Sequence, residues 1–242
     1  MTAFSANLNK IALLRNTRDN RLPDIGRMAR LCVAAGAAGI TVHPRPDERH
    51  TRPSDVRELR LLTQQFQVEF NIEGYPTDDF LRLVHEVHPE QCTLVPDAPD
   101  QKTSDHGWDV AAHGDLLQRI IPPLRAAGIR VSLFMDPDPE AMSLVLATGA
   151  HRIELYTEPY AVAFPTAARA ASIAQYAAAA RAARSNGLGV NAGHDLNLDN
   201  LSDFLSQVPH VQEVSIGHAL IADALELGMT EAVRRYVAIC SP

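Results

Sequence analysis

Side chains that can transfer protons occur in or directly after several short apolar runs of this 242-residue sequence. The principal ones are His43, Glu73, Glu154 and His194. Histidine and carboxyl groups exchange protons near neutral pH, and a carboxylate in an apolar strand should have a raised pKa. The pattern therefore predicts acid–base catalysis by these four residues. Taken singly, a histidine could instead bond to a carbonyl, and a glutamate could pair with Arg45, Lys10 or Arg152.

Two further segments have the composition of phosphate-binding loops. One follows the second apolar run and contains Arg45, Arg49 and His50 among stiffening prolines. Guanidinium groups bind phosphate through paired hydrogen bonds, although a solvated basic loop would have the same composition. The other consists of Gly193-His194-Asp195 and Gly217-His218, where glycine lets backbone N–H groups approach an anion. Together the segments predict two phosphate sites at one mouth.

The elements that must position these residues alternate regularly along the chain. The short apolar runs predict strands at 4–8, 39–42, 68–72, 91–95, 130–135, 152–156, 189–192 and 214–216. Stretches of helical period lie at 24–36, 54–65, 77–87, 109–127, 138–148, 166–186, 198–206 and 219–238. Eight strand–helix pairs without an evident second domain favour one (β/α)8 TIM barrel over 1–242, rather than a doubly wound open sheet.

Two local features refine this fold prediction. Pro122-Pro123 lies inside the fourth helical stretch, and we expect it to divide that stretch into two helices. The segment 96–108 is long and polar, so we expect a loop over the active face and a candidate lid. Strand ends meet at one rim of a barrel, which would bring the polar residues together.

Composition limits the classes of function. The formal net charge of -7 and a pI of about 5.8 argue against nucleic-acid binding. No apolar run approaches the ~20 residues of a membrane span, and no signal peptide is evident. Cys32, Cys92 and Cys240 form no disulfide framework, and Cys92 is predicted to be buried. These features together predict a reduced cytoplasmic protein.

Other chemistries remain open on the residues alone. There is no GxGxxG motif and no P-loop, so we expect no cofactor of those classes. His43, Glu73, His194 and His218 could converge on a metal ion, although HxH and HExxH motifs are absent. A phosphate-binding isomerase or a Schiff-base aldolase is an alternative, but Lys10 is the only lysine near a strand end. A catalytically silent metabolite-binding barrel is a further alternative.

These motifs resemble those of the pyridoxine 5'-phosphate synthase family. The matching stretches lie at 39–50, 71–73, 94–96, 131–134, 153–155, 190–194 and 216–219. The resemblance runs from Asn7 to the last helix. It implies a barrel with extra helices, assembled as a homo-octamer, and a transferase-type condensing synthase of vitamin B6 biosynthesis without a cofactor. The implied reaction joins 3-amino-2-oxopropyl phosphate to 1-deoxy-D-xylulose 5-phosphate, giving pyridoxine 5'-phosphate, phosphate and water.

The resemblance also implies individual roles. His43 and Glu73 would accept protons, His194 would donate one, and Glu154 would stabilise a charged transition state. The implied ligands of the deoxyxylulose phosphate are Arg45, His50 and Thr103. The implied ligands of the aminoketone phosphate are Asn7, Arg18, Asp195, Gly217 and His218.

The chain departs from the family pattern at three of its substrate-binding positions. Asn9 and Lys10 stand where the pattern has aspartate and histidine. Asp195 stands where the family often has glycine. The first change removes a negative charge, the second adds a fixed positive charge, and the third puts a carboxylate beside an expected phosphate.

Overall fold

The computed structural model describes residues 1–97, 101 and 104–241. Its strands are β1 (Ala3–Asn7), β2 (Gly39–Val42), β3 (Glu69–Gly74), β4 (Gln91–Leu94), β5 (Arg130–Met135), β6 (Arg152–Tyr156), β7 (Gly189–Gly193) and β8 (Val211–Ile216). Each strand pairs in parallel with the next one along the chain, and β1 pairs with β8. The sheet is therefore closed, which confirms the predicted (β/α)8 barrel and excludes the open sheet.

Eleven helices lie in the described part of the chain. They are α1 (Asn9–Arg15), α2 (Ile25–Ala34), α3 (Pro53–Phe66), α4 (Asp78–Val87), α5 (Val110–Ala126), α6 (Met142–Thr148), α7 (Glu158–Ala163), α8 (Arg169–Ser185), α9 (Leu201–Gln207), α10 (His218–Leu227) and α11 (Met229–Cys240). None of the helices within the described residues is long and apolar enough to cross a membrane.

The helices differ from the sequence prediction in two respects. The last predicted helix is in fact two, α10 and α11, because Gly228 between them has a φ of +79° that ends α10. The short helices α1 and α7, directly after β1 and β6, were not predicted from periodicity. They agree with the extra helices that the resemblance implies.

The predicted break at Pro122 and Pro123 is wrong, because α5 continues through both prolines. Both lie on the exposed side of the helix, while Ile121 and Leu124 are buried. The two hydrogen bonds that the prolines cannot donate would have ended at solvent-facing carbonyls, which water can satisfy. Burial of the apolar side then keeps the helix continuous.

Side-chain alternation along the strands separates an apolar outer layer from a polar barrel interior. On the outer faces, residues such as Ile40, Ile72 and Val131 are fully buried in the hydrophobic core. The ring of Phe4 on β1 stacks on Tyr236 of α11 at 5.3 Å. Inside the barrel, hydroxyl, amide and carboxyl side chains hydrogen-bond from strand to strand. The predicted burial of Cys92 is confirmed.

A charged layer fills the amino-terminal end of the barrel. Arg152 lies 3.3 Å from the Glu213 carboxylate and donates a 3.1 Å hydrogen bond to Asn191. Arg130 donates a 2.8 Å hydrogen bond to Gln91. The guanidinium of Arg152 is therefore engaged at this end, below the strand ends where catalysis was predicted.

Candidate functional site

A cavity of about 270 Å³ opens at the carboxyl ends of the barrel strands. Twelve of the fourteen predicted site residues line it: Asn7, Asn9, Lys10, His43, Arg45, His50, Glu73, Glu154, His194, Asp195, Gly217 and His218. Arg18 is exposed in the turn after α1 and is not among the lining residues. Thr103 lies outside the described residues, as do 98–100 and 102 of the predicted lid.

Sequence reasoning missed four lining residues. They are Ser104, Tyr156, Glu158 and Ser215. Tyr156 and Ser215 are two positions away from Glu154 and Gly217 respectively, so strand alternation was a signal that could have found them. No comparable signal marks Ser104, which donates a hydrogen bond of 2.7 Å to Asp97.

The ends of β1, β2 and β3 are joined by a small hydrogen-bonded set. The amide of Asn7 donates to the Glu73 carboxyl at 3.4 Å, and His43 Nδ1 lies 3.9 Å from the same oxygen. The Asn9 side chain accepts a 2.7 Å hydrogen bond from the backbone N–H of His43. Asn9 thus fixes the end of β2, and His43 and Glu73 are close enough for proton exchange through a small shift or a shared ligand.

Glu73 and Glu154 are buried carboxyl groups, with exposures of 5% and 2%. Burial is the largest cause that raises the pKa of each; for Glu73 the second cause is the charge of Glu154. The pKa of Glu154 is raised to about 8, and the charge of the Glu213 carboxylate is the second cause of this rise. The predicted direction of the shift is confirmed. The alternative of an ion pair with an arginine fails for Arg45 and Arg152, because these pair with Asp97 and Glu213 instead.

His194 occupies an unusual backbone conformation at the end of β7. Its φ is +71° and that of Asp195 is +57°, a left-handed pair without glycine. The Thr157 hydroxyl lies 2.6 Å from the His194 carbonyl and also contacts that of Gly193, and the imidazole packs 5.0 Å from the ring of Phe134. These contacts hold the ring over the cavity despite the local strain.

Both central imidazoles are held neutral. Burial is the largest cause that lowers the pKa of His43 well below its usual value, followed by the charge of Arg45. For His194, burial and then the charges of Arg45 and Lys10 lower the pKa to about 4. A neutral imidazole can accept a proton, so both residues can act as bases.

Positive charge is concentrated on the β1 and β2 side of the cavity. Arg45 and His50 are 4% and 7% exposed, so the hypothesis of a solvated basic loop is wrong for these two residues. Burial and then the charge of Lys10 lower the pKa of His50 to about 4. Burial and then the charges of Arg45 and Arg49 lower the pKa of Lys10. Such mutual repulsion would be relieved by a bound anion.

The opposite side of the mouth contains the first turn of α10. Gly217 precedes this helix, and no side chain of the described residues caps its first N–H groups. A Cβ at position 217 would lie 3.0 Å from Asn7 Oδ1, so glycine permits a close approach of α10 to β1. Asp195 and His218 are exposed at the rim. A helix N-terminus of this kind favours anionic ligands.

The arrangement supports proton transfer more directly than metal chemistry. Across the described ranges, no group of three or more histidine, cysteine, aspartate or glutamate side chains is placed to hold a metal ion. The cavity instead offers neutral imidazoles beside carboxyl groups of raised pKa.

Comparison with known proteins gives close relatives. Residues 4–242 match the family model described as Pyridoxal phosphate biosynthesis protein PdxJ. The chain is 55% identical to a pyridoxine 5'-phosphate synthase of Albidiferax ferrireducens, over 98% of this chain and 96% of that protein. It is also 55% identical to the pyridoxine 5'-phosphate synthase of Porphyromonas gingivalis, over 98% of each chain.

Similar solved structures are more distant. A 3-keto-L-gulonate-6-phosphate decarboxylase from Vibrio cholerae superposes with a TM-score of 0.66 at 10% identity, over 100% of this chain and 99% of that one. A thiamine phosphate pyrophosphorylase from Pyrococcus furiosus gives 0.60 at 15% identity, over 99% and 95%. At such identities these structures show the barrel fold alone.

Proposed function

Because the chain belongs to the family of the pyridoxal phosphate biosynthesis protein PdxJ, we propose that it condenses 3-amino-2-oxopropyl phosphate with 1-deoxy-D-xylulose 5-phosphate. The products would be pyridoxine 5'-phosphate, inorganic phosphate and water. The observation that carries this proposal is one cavity that combines four acid–base residues with a buried concentration of positive charge. Two phosphorylated substrates and repeated proton transfers require that combination.

The two phosphates would bind on opposite sides of the mouth. Arg45 and His50 suit the deoxyxylulose phosphate, because both are buried beside the cavity, and neither Arg45 Nε nor His50 Nδ1 has a hydrogen-bond partner among the described residues. The first turn of α10, with Gly217 and His218, suits the aminoketone phosphate. Anchoring both phosphates would place the amine and the ketone in one cavity, which supplies proximity. The resemblance adds Asn7, Arg18, Thr103 and Asp195 to the ligands.

Substrate binding would also change the state of the histidines. A phosphate beside Arg45 and Lys10 offsets the charges that lower the pKa of His194. His194 could then keep a proton taken from the first substrate and return it in a later step. This order of proton transfers reconciles the lowered pKa of His194 with the donor role that the resemblance implies.

His43 and Glu73 would act as a coupled pair in the early steps. Imine formation requires removal of protons from the attacking amine and delivery of a proton to the departing oxygen. A neutral His43 beside a carboxyl of raised pKa can perform both transfers, since protons move between groups whose affinities are similar. Dehydration, phosphate loss and ring closure reuse the same groups.

The test is synthesis by the purified protein without an added cofactor. Both substrates should give pyridoxine 5'-phosphate and inorganic phosphate in equal amounts, measured by chromatography and a phosphate assay. His43→Asn and Glu73→Gln should each reduce turnover by about 10²-fold to 10⁴-fold, the usual contribution of a positioned acid or base. His85→Asn, on the exposed side of α4, is the matched control and should leave turnover unchanged.

The outcomes separate the alternatives. Normal turnover by His43→Asn would contradict the assigned roles. Binding of both phosphates by the wild-type protein without product would support a silent metabolite-binding barrel instead.

We further propose a homo-octamer, as the resemblance implies. Large apolar side chains are exposed around α1, with Leu14 at 50% and Leu22 at 67%. Covering such side chains in subunit contacts would remove apolar surface from water. Light scattering of the purified protein would give the mass, and a monomeric mass would refute this assembly.

A further inference from the structure

Three buried hydroxyl groups have no hydrogen-bond partner among the described residues, those of Thr51, Ser132 and Ser215. Ser215 lines the cavity at the strand ends, whereas the other two are fully buried and are not among its lining residues. A buried hydroxyl without a partner costs folding free energy, because it has left water and gained no hydrogen bond in exchange. At Ser215, a ligand bound in the cavity can supply the missing partner.

The Ser215 side chain points into the barrel. Ser215 of β8 pairs with Gly193 of β7 on one side and with Ser5 of β1 on the other. The Ser5 hydroxyl bonds across the interior to Thr41, and paired residues of neighbouring strands face the same side of the sheet. A serine hydroxyl turns about a single torsion, so it can reach a ligand in the cavity that Ser215 lines.

This serine is also close to one of the proposed reacting groups. The Glu154 carboxyl lies over Gly193, the neighbour of Ser215 in the sheet. A Cβ at position 193 would lie 2.8 Å from Glu154 Oε1 and 2.8 Å from the Ser215 carbonyl oxygen. A ligand group that contacts the Ser215 hydroxyl would therefore lie near the Glu154 carboxyl.

The proposed site of the aminoketone phosphate lies at the same end of β8. Ser215 is two residues before Gly217, which precedes the first turn of α10. Two strand residues rise about 6.6 Å, so the hydroxyl lies deeper in the cavity than the N–H groups that would bind the phosphate. In 3-amino-2-oxopropyl phosphate, one methylene group separates the carbonyl carbon from the phosphate ester. With its phosphate at α10, this substrate can bring its carbonyl oxygen down to Ser215.

We propose that Ser215 is a further substrate-binding residue, whose hydroxyl donates a hydrogen bond to the carbonyl oxygen of 3-amino-2-oxopropyl phosphate. The identity of this ligand rests on the proposed function. A serine hydroxyl has one hydrogen to donate and a ketone oxygen only accepts, so the contact satisfies both groups. It also fixes the direction of the substrate, with the phosphate at the rim and the carbonyl at the depth of Glu154.

Calorimetric titration with the aminoketone phosphate tests this contact directly. Ser215→Ala should weaken binding of this compound by about 2-fold to 12-fold, which corresponds to the net strength of one hydrogen bond. Binding of inorganic phosphate should be unchanged, because the proposed phosphate contacts lie on α10. Wild-type affinity of Ser215→Ala for the aminoketone phosphate would refute the contact. An equal loss of affinity for inorganic phosphate would refute its assignment to the carbonyl.

Urea unfolding gives a readout that separates this role from a purely structural one. Removal of a hydroxyl without a partner should leave the midpoint of Ser215→Ala at or above that of the wild-type protein. A lower midpoint would mean that the hydroxyl has a partner in the folded protein, which overturns the proposal. Ser215→Cys fills the side-chain volume but is a much weaker donor, so it should bind the aminoketone phosphate weakly as well. Wild-type affinity in this variant would refute the hydrogen bond.

Ser132→Ala is the matched control. It removes a buried hydroxyl that likewise has no partner among the described residues, from a serine that does not line the cavity. Its urea midpoint should also be at or above that of the wild-type protein, with unchanged affinity for the aminoketone phosphate. A loss of affinity equal to that of Ser215→Ala would refute a local contact.

The turnover assay distinguishes failure of this inference from failure of the proposed function. Product formation by the wild-type protein, with unchanged aminoketone affinity in Ser215→Ala, would refute only the Ser215 contact. Aminoketone binding that depends on Ser215, in a wild-type protein that makes no product, would refute only the condensation.

Discussion

Replacement of Gly193 by alanine should disturb both the barrel and its reacting groups. Gly193 ends β7, where it pairs with Ser215 of β8 and faces Glu154. A Cβ at this position would lie 2.8 Å from Glu154 Oε1 and 2.8 Å from the Ser215 carbonyl oxygen. Ordinary contacts begin at 3.4 Å, so each must open by about 0.6 Å. The carboxyl can swing away, but the carbonyl belongs to the strand.

The size of the effect follows from these two contacts. Extra atoms in a well-packed interior cost typically 1–3 kcal/mol, and a rigid backbone neighbour places Gly193→Ala within that range. Displacing a reacting group by about 1 Å can cost on the order of 10²-fold in turnover. Both losses should appear together. Gly114→Ala in α5 is the matched control, because nothing lies within 4 Å of its added Cβ.

Urea unfolding and turnover of the two variants check this prediction. Gly193→Ala should unfold at lower urea than the wild-type protein, whereas Gly114→Ala should gain up to about 1 kcal/mol in unfolding free energy from its better helix propensity. Wild-type stability and turnover in Gly193→Ala would refute the close approach of β7 to Glu154 and β8. Lower stability with normal turnover would refute only the placement of Glu154 as a reacting group.

Two further predictions concern buried charges. Asp55→Asn should lower the unfolding free energy by about 3–5 kcal/mol in urea titrations. Arg15 donates to both Asp55 oxygens, at 2.6 and 2.8 Å, and its buried charge would lose this partner in the variant. A loss below about 1 kcal/mol would contradict this prediction. Glu154→Gln should raise the unfolding free energy more at pH 9 than at pH 5. The pKa of Glu154 is raised from 4.5 to about 8 in the folded protein, so between these values the folded state holds a proton that the unfolded state has lost. The wild-type protein therefore loses stability as the pH rises through this range, and the glutamine variant does not. Equal effects at both pH values would refute the raised pKa.

The barrel was predictable because its signals are local and repeated. Each strand is a short apolar run, most of them with a polar residue at or near the end, and each predicted helical stretch has its own periodicity. α1 and α7 were not predicted because each is a short helix that directly follows the end of a strand, so no separate helical stretch was evident there. The continuation of α5 through Pro122 and Pro123 depends on which side of the helix faces solvent, which only the packed structure decides.

Much of the site was predictable from position, but its pairings were not. Strand ends brought His43, Glu73 and Glu154 to one cavity, as parallel strands in a closed barrel require. Arg45 pairs with Asp97, which lies more than fifty residues away in the sequence, and no rule of residue spacing predicts such a contact. Arg18 shows the converse, since the resemblance assigns it to a substrate while the fold leaves it exposed outside the cavity.

The departures from the family pattern are related through the geometry of the rim. Lys10 in α1 and Asp195 in the loop after β7 line the same cavity, and the charge of each opposes the pKa shift that burial imposes on the other. A lysine and an aspartate placed together add no net charge. A phosphate bound beside Arg45, as proposed, would therefore meet a rim whose charges have been redistributed rather than reversed. Asn9 has a separate reason to be neutral, because its oxygen accepts the backbone N–H of His43. Electrostatically, then, the three changes are compatible with retained substrate binding, and the acid–base residues at the centre are left as the family pattern has them.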